Sequence, residues 1–125
     1  MAILDQLGAE QYVSVTTYRR NGRAVSTPLW VASDGGALVV WTVEGSGKVK
    51  RIRNNPRVKI APCDVRGRVL GESHPGTAEV LPAAHTERVR RLIVKKYGMA
   101  ARVLVLSSRL RRGRAGTVAV RITLD

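Results

Sequence analysis

Asn21-Gly22 and Asp34-Gly35-Gly36 are turn signals set between short stretches that repeat every two residues, a pattern that commits the opening of the chain to antiparallel β-structure. Before the first turn, Val13, Val15 and Thr17 alternate with Ser14, Thr16 and Tyr18, as in a strand buried on one face. Asn and Gly both tolerate the positive φ of a type I′ turn, so Asn21-Gly22 predicts a tight hairpin into a second strand at about 23–32. After the second turn, residues 37–43 form a third strand, whose near-continuous apolar character predicts burial on both faces. The opening therefore reads as a β-meander, preceded by a short helix at 3–8.

Further on, residues 58–62 form a short strand, 64–68 a turn and 77–81 a returning strand. Within 83–97 the apolar Val89, Leu92 and Ile93 recur at helical spacing, with Pro82 at the start and Gly98 past the end. Residues 107–114 are a basic connector, and 117–122 alternate again as a last strand. The expected fold is mostly β with α: a barrel of about six antiparallel strands carrying two or three helices, in a single domain over residues 1–125.

Apolar runs such as 37–41 and 103–106 are far short of the roughly 20 residues of a membrane-spanning helix. Residues 1–6 lack a basic n-region and a small-residue cleavage site, and Cys63 is the only cysteine, so a reducing cytoplasm is expected. One Cys and two isolated His, His74 and His85, offer no metal-ligand spacing. His74 reads as a turn residue, His85 as a helix-start residue and Cys63 as small packing.

The 22 Lys and Arg against 9 Asp and Glu give a net charge of +13, which attracts anionic partners. Two Trp, three Tyr and no Phe supply few stacking platforms for single-stranded nucleic acid. Arg109, Arg111, Arg112 and Arg114 in the basic connector keep a nucleic-acid partner as a remote alternative, with no recognised binding motif beside them.

The densest cationic segment is residues 44–56, EGSGKVKRIRNNP. It is no Walker A loop, because Thr42 stands where the first glycine belongs and Val49 follows Lys48 in place of Ser or Thr. A helix starting near Ser46 would nonetheless aim its free amides and positive dipole end at a phosphate, with Ser46 as cap and Lys48 as a full charge. On it Val49 and Ile52 would dock on the barrel, Lys48 and Arg51 share a second face, and Lys50 and Arg53 a third. A bare basic face is the competing reading.

The order Trp41-Thr42, Ser46-Gly47-Lys48, then Asn55-Pro56-Arg57-Val58, resembles the pyridoxamine 5′-phosphate oxidase-like split β-barrels, a mostly β Greek-key fold, and within them the F420-dependent (PPOX class) actinobacterial branch. Asn21-Gly22 before residues 27–31, the turn at 63–67 and residues 92–98 add to the likeness, which covers nearly the whole chain. The resemblance implies a phosphate held by Ser46, Gly47 and Lys48, with Lys50 and Arg53 as secondary contacts, and a ring or side chain lined by Thr27, Pro28, Leu29 and Thr42. It also implies a homodimer with the cofactor at its interface and a small-molecule substrate. The second strand, Val25-Ser26-Thr27-Pro28-Leu29-Trp30, lacks the basic ends of the Arg-x-Val-Leu-Leu-Lys motif of flavin-using oxidases, which favours the deazaflavin F420 over FMN.

The implied activity is hydride transfer between F420 and an electron-poor organic substrate such as an enone, quinone or tetrapyrrole. The chain supplies no catalytic triad, and hydride transfer needs none, because the cofactor carries the chemistry. A carrier of deazaflavin or another anionic ligand, and an FMN enzyme, are the alternatives. The cofactor's glutamate tail suggests a cationic rim of Arg51, Arg57, Lys59, Arg66 and Arg68. Tyr97 reads as a packing residue at a helix end, and Trp30 and Trp41 as core, interface or stacking residues.

Overall fold

A computed structural model describes residues 3–98 and 116–125. The expected basic connector at 107–114 and the apolar run at 103–106 lie outside the described residues. Helix α1 (Ile3–Gly8) leads into strands β1 (Tyr12–Tyr18), β2 (Ala24–Leu29), β3 (Ala32–Asp34) and β4 (Ala37–Val43). Helix α2 (Gly47–Asn54), strands β5 (Arg57–Cys63) and β6 (His74–Val80), a short 3-10 turn (Ala83–His85), helix α3 (Thr86–Tyr97) and strand β7 (Thr117–Leu124) follow.

The sheet is antiparallel throughout and has seven strands rather than six, in the order β2-β1-β5-β6-β7-β4-β3. The expected second strand breaks in two at Trp30-Val31, because the backbone of Val31 is engaged by side chains of α3 and not by a neighbouring strand. The opening is consequently two hairpins at opposite edges, not a meander. Leu29 ends one edge strand and Ala32 begins the other, and three Cα–Cα steps reach at most about 11 Å, so the sheet must curl until its two edges approach. That is a split barrel. Pro28, which has no N–H to give a ladder, lies on edge strand β2.

Apolar alternation fills both faces of β4, as its sequence pattern requires. Leu38 and Val40 join the interior cluster with Val13, Val15, Ile60 and Ile122, while Val39 joins an outer cluster with Val89, Ile93 and Ala119 of α3 and β7. Burying each such Val or Ile stabilises the fold by about 1.5–3 kcal/mol. Helix α2 buries Val49 and Ile52, the latter within the interior cluster, whereas Val89 and Ile93 of α3 belong to the outer one.

Two turns differ from their expected form. No non-glycine residue described has positive φ, so Asn21-Gly22 is not type I′. Gly22 alone takes φ 87, its N–H donates to Arg19 O at 2.9 Å, and Asn21 Oδ1 accepts the Arg23 N–H at 3.0 Å, making a three-residue loop. His74 stands in β6 opposite Ile60, not in a turn. Gly76 permits the close approach of β6 and β7, since a Cβ there would lie 2.7 Å from Thr123 O.

Candidate functional site

Helix α2 begins where its sequence predicts, with extended Ser46 as the capping residue, but the cap hydrogen bond is not made. Ser46 Oγ is buried and has no partner among the described residues; Trp41 Nε1, Thr86 Oγ1 and Arg121 Nε share that condition elsewhere. A buried, unpaired hydroxyl normally costs about 1–3 kcal/mol. Here it sits beside excess positive charge. The first turn of α2 carries no acid and does carry Lys48, so a cation stands at the positive end of the helix dipole, the unfavourable end.

Arg51 adds to that charge. Its Nε donates to Thr17 Oγ1 at 2.7 Å, and a Cβ on Gly47 would lie 2.7 Å from a guanidinium nitrogen, so the guanidinium folds back over the first turn of its own helix. Burial and the Arg51 charge together pull Lys48 below the ordinary lysine value of 10.5. Arg51 is itself lowered by burial and by Arg19. No ion pair engages Lys48 or Arg51 among the described residues. Thr17 and Arg51 are functional candidates that phosphate-loop spacing alone misses, although the three-residue separation of Lys48 and Arg51 already places both on one helix face.

The other predicted residues divide. Thr27 and Leu29 lie opposite Val15 and Val13 on the interior side of β2, whereas Pro28 lies opposite Ser14 on the outer side, with Gly67 close by. Thr42 is buried, on the same side of β4 as Leu38 and Val40, four residues before Ser46. Lys50 is exposed. Arg53 is exposed and already paired with Glu44 at 2.6 Å. Of the suggested rim, Arg57 is held by Asp125 at 2.6 Å and by Thr77, while Lys59, Arg66 and Arg68 are exposed.

A separate groove of about 1080 Å³ runs between the C-terminal half of α2 and the first turns of α3, lined by Ile52, Val80, Thr86, Arg91 and Val118 among others. Of the predicted residues it takes in only Arg53. The cationic cluster at the start of α2, not this groove, has the chemistry of an anion site. No group of three metal-ligating side chains occurs among the described residues.

The family model for pyridoxamine 5′-phosphate oxidase matches residues 2–125. The chain belongs to that family. Solved structures with the same fold include an F420 reductase, 18% identical with a TM-score of 0.70, covering 100% of this chain and 95% of that one. A FAD-binding protein from Mesorhizobium loti is 20% identical with a TM-score of 0.64, covering 100% of this chain and 89% of that one. A heme storage protein from Vibrio cholerae is 13% identical with a TM-score of 0.70, covering 97% of this chain and 87% of that one. No curated protein matches the chain. Among the described residues no helix is long and apolar enough to cross a membrane.

Proposed function

We propose that the chain is an oxidoreductase that uses coenzyme F420 to transfer hydride to an electron-poor unsaturated organic substrate. The observation that carries this reading is the unsatisfied start of α2: a buried Ser46 hydroxyl with no partner, beside Lys48 and Arg51 with no counter-charge. An anionic group placed there accepts from Ser46, neutralises both cations and meets the helix dipole with the correct sign. Ser46, Gly47, Lys48 and Arg51 would hold the phosphodiester of the cofactor. Pro28, on the outer side of edge strand β2, would face the ring, and Thr27, Leu29 and Thr42 would back that wall from the interior side of their strands. Lys50 is a peripheral contact.

When bound, the deazaflavin supplies the hydride in its reduced form, and solvent supplies the proton that completes reduction of the substrate. The chain's own residues would anchor the anion at the start of α2 and orient the ring along the outer side of β2. A homodimer with the cofactor at its interface, as the family resemblance implies, is part of the proposal.

A carrier role is the second reading, favoured by the fold shared with a heme storage protein. Fluorescence titration with oxidised F420 and with FMN, at two salt concentrations, tests the proposal. Tight, salt-sensitive F420 binding and weak FMN binding support it. Preference for FMN makes this a flavin protein, and binding without any turnover of reduced F420 across a broad acceptor panel makes it a carrier.

A further inference from the structure

The end of α3 grips the link between the two sheet edges. Lys96 Nζ donates to three backbone carbonyls, Gly8 O at 2.7 Å, Glu10 O at 2.6 Å and Val31 O at 2.7 Å, which uses all three donors of an ammonium group. The Tyr97 hydroxyl accepts from the Val31 N–H at 3.0 Å and donates to Gln11 O at 2.8 Å. Its ring stacks on Trp30, with centroids 4.3 Å apart and planes 6° from parallel. Both polar groups of the Val31 backbone are thus held by side chains, on a link that joins β2 to β3 and is part of neither strand.

A packing tyrosine would need only the ring. Two side chains that between them take up the backbone of Val31 and the three carbonyls before β1 fix where β2 leaves the barrel, and with it the distance between the sheet edges. We infer that Lys96 and Tyr97 are positioning residues for the ring-binding strand β2, acting on the ring half of the ligand and not on its phosphate. The inference rests on the cofactor reading above and adds residues about 50 positions from Lys48 in sequence, on a helix that takes no part in the anion cluster.

Tyr97→Phe keeps the stack on Trp30 and removes only the hydroxyl; Lys96→Met keeps the stem and removes the three donors. Each variant is titrated with oxidised F420, with its phosphate-free deazaflavin core, and with inorganic phosphate, and its thermal unfolding is recorded. Loss of the Tyr97 hydroxyl is expected to weaken F420 and the core by the same factor, roughly three- to tenfold, as for one hydrogen bond, with phosphate binding unchanged. If F420 and the core bind folded variants as they bind the wild type, or if phosphate is lost in proportion, the inference is overturned. If the wild type itself binds phosphate but neither F420 nor the core, the cofactor reading has failed, and the ring role of β2 with it.

Discussion

Helices α2 and α3 are both short, basic and docked through two buried aliphatic side chains, yet they treat their cations in opposite ways. Helix α3 has Glu87 in its first turn and Lys95 and Lys96 in its last, the arrangement its dipole favours, and Lys96 is saturated by backbone carbonyls. Helix α2 has no acid in its first turn, Lys48 at the wrong end, Arg51 folded toward that same end and a cap serine with an unused hydroxyl. Both helices lack a side-chain cap hydrogen bond and carry a buried unpaired hydroxyl near their start, Ser46 in α2 and Thr86 in α3, so what sets α2 apart is the pair of uncompensated cations beside that hydroxyl. The contrast separates a lysine satisfied within the fold, Lys96, from one without a counter-charge among the described residues, Lys48, which net charge alone cannot do.

The comparison breaks most readily at Lys48. Lys48→Ala is expected to weaken F420 binding by about 1.5–3 kcal/mol, the worth of a hydrogen bond to a charged group, and to leave the free protein no less stable; calorimetric titration with thermal unfolding checks both. An undiminished affinity removes Lys48 from the site.

On α3 the signs reverse. Lys96→Met strips a charged donor from three carbonyls and is expected to lower unfolding free energy by about 1–3 kcal/mol, read by urea denaturation, while inorganic phosphate binding stays constant. Loss of phosphate binding would erase the distinction between the two helices.

The pH dependence sharpens it further. A lysine whose folded value lies below its unfolded value is taken up with fewer protons in the folded state, so its penalty on stability is present at neutral pH and is relieved as pH rises through the lowered value toward 10.5. Wild type is therefore expected to gain stability relative to Lys48→Met across that alkaline window, and to lose anion affinity across it as the proton leaves. A constant difference between the two stability curves would contradict the buried, like-charged setting of Lys48.

Smaller effects follow at Ser46 and Arg53. Removing an unpaired buried hydroxyl by Ser46→Ala is expected to raise the stability of the free protein by up to about 1 kcal/mol while weakening F420 binding, a divergence visible in melting temperature and titration together. Arg53→Ala breaks only an exposed pair with Glu44 and is expected to shift stability or affinity by less than about 1 kcal/mol.

Local rules were enough for the parts of the chain that local physics controls. The bounds of β4 follow from its apolar run, those of α1 from its short opening pattern, and the start of α2 from Ser46-Gly47. The break at Trp30-Val31 was not legible, because nothing in that dipeptide announces that Tyr97 and Lys96, more than 60 residues away, will take its backbone groups. The same distance hid the seventh strand. At the candidate site, Ser46 and Lys48 were readable from the small-residue turn that opens α2 and Gly47 from the family resemblance, whereas Thr17 as the support of Arg51 depends on β1 and α2 meeting in space. The prior engagement of Arg53 and Arg57 by Glu44 and Asp125 is equally a tertiary fact.

The central claim is that the start of α2 is built for the phosphate of a ring-bearing cofactor. Its most direct test is the affinity of wild type and Lys48→Ala for oxidised F420 and for the phosphate-free deazaflavin core. The account predicts that wild type prefers F420 by at least about tenfold and that the preference disappears in Lys48→Ala. Equal affinity of the wild type for the two ligands, or an undiminished preference in the variant, would contradict it.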